Sequence, residues 1–204
     1  MSGTRDDLRS HAAVLREATT LLDEASIPHV VFGSLATVTL GRPRDLRAHE
    51  DIDLLVRPPD ASRVAEVLAS AGYVVESTDP SWIRKAKRLG VTVDLIHRAG
   101  REVNLDRDML ERAPAATVLG VPVRLMPPED LAMIKAVLHD ETRTGDWFDA
   151  LALVARPGLD WDYLLRRARG HGVQRALSLL LYARAEGAEV PPRVLAELLE
   201  AVPG

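Results

Sequence analysis

The sequence predicts an α+β fold, with a mixed α+β first half and an all-helical second half in a chain of 204 residues. Two observations support this division. Short apolar runs bounded by Gly or Pro, which are typical of strands, lie in the first half. After residue 127, helical periods dominate, separated by Gly- and Pro-containing breaks. We therefore expect two domains, residues 1–125 and residues 126–204.

The first half begins with an amphipathic helix over residues 5–25, in which apolar residues recur every three or four positions. Two further helices are expected, from Ser34 to about Leu40 and from Ala61 to Ala71, with Ser34 and Asp60 as N-caps. An arginine-rich polar loop follows Leu40. The predicted strands are His29–Phe32, Asp51–Val56, Tyr73–Glu76 and Val91–His97, followed by a hairpin, Thr117–Leu125, around Gly120.

The second half is predicted to consist of helices and short connections. The expected helices are Glu129–Leu138, Trp147–Val154, Trp161–Ala168, Val173–Ala185 and Arg193–Ala201. Asp160 precedes one of them and fits an N-cap. In the first half, the basic run Trp82–Arg88 is interpreted as a solvated helix face, although contact with a nucleotide or RNA is an alternative.

Composition narrows the classes of function. Cysteine is absent, which excludes disulfides, zinc–thiolate sites and thiol nucleophiles. The formal net charge of −4 argues against broad nucleic-acid binding, which needs many cationic contacts to phosphate. No apolar run approaches the roughly 20 residues of a membrane span. The charged N-terminus does not resemble a signal peptide, so we expect a cytoplasmic protein without membrane partners.

Two aspartates in the segment DIDLLV form the clearest candidate for a metal site. Asp51 and Asp53 stand two residues apart in a predicted strand, so their side chains would project from one face. Adjacent carboxylates repel each other unless a cation or proton lies between them. Oxygen ligands of this kind suit Mg²⁺, which often shares its coordination shell with substrate phosphates. Solvated charges at an exposed strand edge are the simpler alternative.

A third aspartate lies in another apolar strand, VTVDLIH. Asp94 is flanked there by valine, leucine and isoleucine, and a buried carboxylate is costly without a partner. If this strand pairs beside Asp51–Val56, Asp94 completes a cluster of three carboxylates. Two metal ions bridged by such a cluster can align a nucleophile and a leaving pyrophosphate. A surface-facing aspartate is the alternative.

Upstream, Gly33 and Ser34 join a predicted strand to a predicted helix. Such a junction presents backbone N–H groups and the positive end of the helix dipole to a phosphate. Glycine permits close approach, and the Ser34 hydroxyl can donate a hydrogen bond. An ordinary capped turn is the alternative for this pair.

The order of these parts resembles the nucleotidyltransferase superfamily that includes DNA polymerase β. Small bacterial members include antibiotic nucleotidyltransferases and the toxin nucleotidyltransferases of abortive-infection systems, and HEDIDLLV (49–56) is similar to the second motif of these toxins. MPPEDLAMIKAVLHDETRTGDWFDAL (126–151) is similar to the helical segment that follows in the toxins. The resemblance spans roughly residues 27–155 and implies a palm-like mixed sheet with flanking helices, followed by a helical domain. The 16 residues between Ser34 and Asp51 exceed the usual spacing, which places extra length in Gly41–Arg47.

The resemblance also implies roles. Asp51, Asp53 and Asp94 would bind two Mg²⁺ ions, with Asp94 as the general base. Gly33 and Ser34 would hold the triphosphate, and Lys135 would reach a phosphate or the acceptor. The implied reaction transfers a nucleoside monophosphate from a nucleoside triphosphate to a hydroxyl of a small molecule, a tRNA or a protein. The resemblance points less strongly to a role for Asp146 and Asp149, whose positions helix capping could explain. Lys135 could equally be a solvated or snorkelling lysine.

Two other classes of function stay open. The chain could be a catalytically silent nucleotide-binding or regulatory module of a toxin–antitoxin-type system, which would bind triphosphate without forming product. Alternatively, it could be a helical interaction protein in which the strand aspartates are incidental and do not converge.

Overall fold

The computed structural model describes residues 2–41, 51–99, 103–140 and 142–202, with the side chains described from Leu8 onward. The described part of the chain divides into two compact units. The first contains the sheet and ends at Met126, and the second continues from Pro127 with a series of helices. Apart from Gly41, the predicted arginine-rich segment Gly41–Arg47 lies outside the described residues.

A five-stranded mixed sheet forms the centre of the first unit. The strands are β1 (His29–Val31), β2 (Ile52–Val56), β3 (Val74–Asp79), β4 (Ile83–Arg88) and β5 (Val91–Ile96). Their spatial order is β1-β2-β5-β4-β3. Strands β2 and β5 are parallel, and the other neighbouring pairs are antiparallel. This confirms the predicted α+β class and its mixed sheet.

Helices and a hairpin complete the first unit. They are α1 (Ser2–Glu24), α2 (Gly33–Leu40), α3 (Ala61–Ser70), α4 (Arg107–Arg112), and the hairpin strands β6 (Ala115–Val118) and β7 (Val121–Arg124). Helices α1 and α3 pack against each other and against the sheet. The hairpin turns at Leu119 and Gly120, both with positive φ, as a tight two-residue turn requires. The predicted hairpin around Gly120 is therefore confirmed.

One face of the central strands is fully apolar. Ile52, Leu54, Val93 and Leu95 are 0–1% exposed. Because successive side chains of a strand point to opposite faces, Asp53 and Asp94 project from the other face. Burial of the apolar set thus holds the two aspartates on the same side of the sheet.

Several local predictions were wrong. The run Trp82–Arg88 contains β4 rather than a helix: Ile83 and Ala86 have helix-like spacing, but a turn at Leu89 and Gly90 folds the run back onto β5. Helix α2 begins at Gly33, so Ser34 lies in its first turn rather than at the N-cap.

Two acidic residues near helix starts also differ from expectation. Asp60 makes no capping bond, because its carboxylate accepts a 2.6 Å hydrogen bond from Arg57 Nε. Asp106 lies outside the predicted helices, and it caps α4 by accepting from the Met109 backbone N–H at 2.9 Å. In both cases the local partner decides where the carboxylate points.

The second unit is helical, as predicted. Its helices are α5 (Pro128–Leu138), α6 (Thr144–Val154), α7 (Trp161–His171), α8 (Val173–Ala185) and α9 (Pro192–Glu200). Helix α5 packs against α6, α7 and α8. The N-cap at Asp160 is confirmed, since its side chain accepts from the Tyr163 N–H at 2.9 Å. Helix α6 begins before the predicted Trp147, which places Asp146 inside its first turn.

A buried polar cluster joins two helices of this unit. Asp130 is 2% exposed and accepts from the Tyr163 hydroxyl and pairs with Arg167 Nε, each at 2.5 Å. The cluster satisfies a carboxylate that would otherwise be costly to bury. Within the described residues, no helix combines the length and apolarity that crossing a membrane requires.

Candidate active site

Parallel pairing of β2 and β5 brings the predicted carboxylates together. Asp53 and Asp94 are direct partners in the register, although 41 positions separate them in the sequence. Asp51 immediately precedes β2 and lies two residues before Asp53, on the same side of the chain. The Asp94 side chain is 12% exposed, whereas the Asp51 side chain is 42% exposed. The cluster therefore extends from the sheet interior towards solvent.

The start of helix α2 lies directly against Asp53. The Phe32 N–H donates to the Asp53 carbonyl oxygen at 3.0 Å, which holds the end of β1 beside β2. Gly33 has φ +62°, and a Cβ built there would lie 1.9 Å from Asp53 Oδ2. Only glycine fits without moving the carboxylate, because the position requires both positive φ and empty space.

Gly33 and Ser34 consequently occupy the first turn of a helix beside the carboxylates. The first N–H groups of a helix have no intrahelical acceptors and can bind an anion. The Gly33 carbonyl accepts from the Thr37 hydroxyl at 2.8 Å, which helps to fix this turn. The sequence-predicted phosphate-binding pair thus lies next to the predicted metal-binding residues.

Lys85 is a site residue that the sequence analysis missed. It stands opposite Asp94 in the β4–β5 register. Its Nζ lies 2.7 Å and 3.0 Å from the two Asp94 carboxylate oxygens and 3.3 Å from Asp51 Oδ2. The sequence does contain a sign that Lys85 lies on a strand beside Asp94. The Leu89-Gly90 pair separates two six-residue segments of strand length, which indicates a hairpin.

Burial and the lysine act in opposite directions on Asp94. Burial raises the pKa of Asp94, the Lys85 ammonium lowers it, and the neighbouring Asp51 raises it, with a net increase. Burial lowers the pKa of Lys85, but its contacts with Asp94 and Asp51 raise it more. Lys85 therefore stays charged and balances the negative charge of the carboxylates.

The donor set suits Mg²⁺. Two carboxylates, Asp94 and Asp51, already accommodate a cation, the Lys85 ammonium, and Asp53 is the register partner of Asp94; all three offer the hard oxygen ligands that Mg²⁺ prefers. In the described ranges, no group of three or more Asp, Glu or His residues is already arranged as a metal-binding shell. The residues present fit the ion chemically, and Lys85 lies between two of them.

Lys135 forms a separate cluster in the second unit. Its Nζ contacts Asp146 Oδ1 at 2.9 Å and Asp149 Oδ2 at 2.8 Å. Lys135 is 8% exposed, so the alternative of a solvated lysine is wrong. Burial lowers the pKa of Lys135, but its hydrogen bonds with Asp149 and Asp146 raise it more. The structure pairs these three residues, and the role of Lys135 towards the nucleotide stays a prediction.

Replacing Lys135 with Met is expected to destabilise the protein by about 3 kcal/mol, because Asp149 loses its cation and Asp146 keeps only Arg143, whose Nη1 lies 4.0 Å away. Urea unfolding measures this change.

The stabilisation by Lys135 should also depend on pH. Because the pKa of Lys135 is higher in the folded protein than in the unfolded chain, its charge stabilises the fold fully below its ordinary pKa. This contribution is lost as the pH rises through the pKa of the folded state. Arg169→Met is the control, since it breaks an exposed 2.9 Å pair with Glu197 worth less than about 1 kcal/mol. Equal losses in both variants would contradict a structural role for the Lys135 cluster.

The fold and family were compared with known proteins. The solved structure of ANT(2'')-Ia in complex with adenylyl-2''-tobramycin matches with a TM-score of 0.51 at 16% identity, covering 87% of this chain and 98% of that one. The solution structure of the antibiotic-resistance factor ANT(2'')-Ia matches with a TM-score of 0.53 at 15% identity, covering 87% and 93%. At these identities the likeness concerns the fold.

A search of curated protein sequences gave no match. A family model described as "Uncharacterised nucleotidyltransferase" matches residues 2–188, which is most of the chain. The chain therefore belongs to this nucleotidyltransferase family.

Proposed function

We propose that this protein transfers a nucleoside monophosphate from a nucleoside triphosphate to a hydroxyl-bearing acceptor in a magnesium-dependent reaction. The observation that carries the proposal is the register of β2 and β5, which pairs Asp53 with Asp94 beside the glycine that begins α2. Incidental aspartates, as in a helical interaction protein, would have no reason to converge there.

The carboxylates would hold the metal. Asp51, Asp53 and Asp94 are the ligands, and two ions are the expectation from the resemblance. When bound, Mg²⁺ neutralises the triphosphate and aligns the attacking and leaving oxygens. Gly33 and Ser34 would bind phosphate oxygens through the first N–H groups of α2.

Asp94 is the proposed general base. It accepts the proton of the acceptor hydroxyl while the oxygen forms a bond to the α-phosphorus. The bond from that phosphorus to the pyrophosphate oxygen breaks, and pyrophosphate leaves. Asp94 is 8% exposed and is the register partner of Asp53, so its carboxylate would accept the proton away from bulk solvent.

The acceptor is best sought among small hydroxyl-bearing molecules. A formal net charge of −4 disfavours long nucleic acids and favours a small or cationic acceptor over a tRNA. The ANT(2'')-Ia complex contains an adenylylated aminoglycoside, so aminoglycosides are the first acceptors to test. Protein hydroxyls form the next class.

Thermal unfolding with each of the four nucleoside triphosphates, with and without Mg²⁺, tests nucleotide binding. A triphosphate at one hundred times its dissociation constant should stabilise the native state by about 3 kcal/mol. We expect this shift with Mg²⁺ only, accompanied by pyrophosphate release once an acceptor is added. A shift without pyrophosphate for any acceptor class would instead support the catalytically silent module. Absence of any shift would contradict the nucleotide site.

A further inference from the structure

Lys85 makes close charged contacts with two members of the carboxylate cluster. One ammonium group touches both oxygens of Asp94 and one oxygen of Asp51, at 2.7 to 3.3 Å. Its side chain is 27% exposed, and that of Asp94 is 12% exposed. The contact with Asp94 is thus largely shielded from the solvent that weakens surface ion pairs, whereas the Asp51 side chain is 42% exposed.

We propose that Lys85 is an internal counter-ion that competes with a divalent cation for Asp94 and Asp51. This inference rests on the proposed function, because it assumes that the same carboxylates bind the metal. In the cation-free protein the lysine satisfies the carboxylates, and a divalent cation has to displace its ammonium group.

The need for a counter-ion follows from burial and charge. Asp94 is buried, lies beside Asp53 in the register and is close enough to Asp51 for its charge to be felt. An ionised carboxylate in such a place is costly unless a positive charge meets it. Lys85 supplies that charge from the neighbouring strand without any bound ion.

The side chains also differ in mobility. Asp94 is short and belongs to a central strand, so its carboxylate stays in place. Lysine carries its ammonium group on a flexible four-carbon stem, so Nζ can withdraw while β4 remains paired. Exchange of the ammonium for a metal ion therefore needs no rearrangement of the sheet.

Lys87 provides a matched control on the same strand. It lies two residues from Lys85, on the same face, and contacts both carboxylate oxygens of Glu76 at 3.0 and 2.9 Å. This pair is exposed and contains none of the carboxylates proposed to bind metal. Replacing Lys87 with Met removes the same charge from the same strand and leaves Lys85, Asp94 and Asp51 unchanged; the released Glu76 is the register partner of Lys85 on β3.

The test is titration of the full-length chain with Mn²⁺ alone, without nucleotide, with free Mn²⁺ followed by electron paramagnetic resonance. We expect Lys85→Met to bind Mn²⁺ at least about tenfold more tightly than wild type, because a competing positive charge has been removed. Lys87→Met should bind as wild type does. Adding Asp94→Asn to Lys85→Met should cancel the gain.

A second readout is the stabilisation given by Mg²⁺ in thermal unfolding. It should be larger for Lys85→Met than for wild type, since the metal then replaces the missing counter-ion. If Lys85→Met does not fold, Lys85→Gln takes its place in both measurements.

Mn²⁺ affinity that is unchanged or lower in the folded Lys85 variant would overturn the inference. Pyrophosphate release by the wild type separates this failure from that of the proposed function. If release is observed and Lys85→Met shows no gain, only the role of Lys85 is wrong. If neither protein binds Mn²⁺ and the wild type releases no pyrophosphate, the carboxylate site itself is wrong.

Discussion

Asp53→Asn is expected to lower the rate of nucleotidyl transfer by roughly a thousandfold, at the upper end of the loss from removing one preorganised electrostatic group. The substitution keeps the size of the side chain, so it still fits the space beside Gly33. The apolar neighbours Ile52 and Leu54 on the other face are unaffected. The free energy of unfolding should therefore change by less than about 1 kcal/mol.

Steady-state kinetics of pyrophosphate release and urea unfolding check the two halves of this expectation. Asp108→Asn is the matched control, because Asp106 and Asp108 have the same D-x-D spacing but lie at the start of α4. That variant should retain wild-type turnover. Wild-type turnover in Asp53→Asn would remove Asp53 from the mechanism.

Gly33→Ala is the second substitution with a large expected effect. The added methyl would lie 1.9 Å from Asp53 Oδ2 and 2.7 Å from its Cγ, so the carboxylate has to move. A displacement of about 1 Å at a reacting group can cost on the order of a hundredfold in rate. Positive φ adds about 1–2 kcal/mol of strain, and overpacking adds about 1–3 kcal/mol.

Gly120→Ala is the control that separates the backbone strain of a positive φ from the steric overlap with Asp53. Gly120 also has positive φ, +75°, but a Cβ there meets nothing within 4 Å. The free energy of unfolding of this control should fall only by the cost of the backbone strain, about 1–2 kcal/mol, and its turnover should stay at the wild-type value. Kinetics and unfolding of the two variants give the comparison. If Gly33→Ala behaves like Gly120→Ala in both, the contact between Gly33 and Asp53 has no functional importance.

The three carboxylates could be found from the sequence because alternation within a strand is a local property. Asp51 and Asp53 share a side by their spacing alone, and Asp94 is conspicuous among apolar neighbours. Their convergence depended on an assumption about pairing, since strand order results from long-range packing. The structure supplies this missing part by placing β5 directly beside β2.

Lys85 was missed for a different physical reason. A basic run with Ile83 and Ala86 three residues apart fits a helix as well as a strand, and only the turn at Gly90 decides between them. The two partners of Lys135 also could not be predicted from local sequence patterns. Its burial against Asp146 and Asp149 depends on how α5 packs on α6, which spacing within one helix does not determine.

The apolar face of β2 and β5 has a consequence for genetic variation in this protein. Ile52, Leu54, Val93 and Leu95 touch no proposed ligand, yet each is the chain neighbour of an aspartate on the opposite face. A change in volume at these positions shifts the strands and thereby the spacing of the carboxylates. In a mutational scan, substitutions at these four positions should therefore lower activity as much as substitutions of the aspartates. A library aimed at a new acceptor should leave these four positions unchanged.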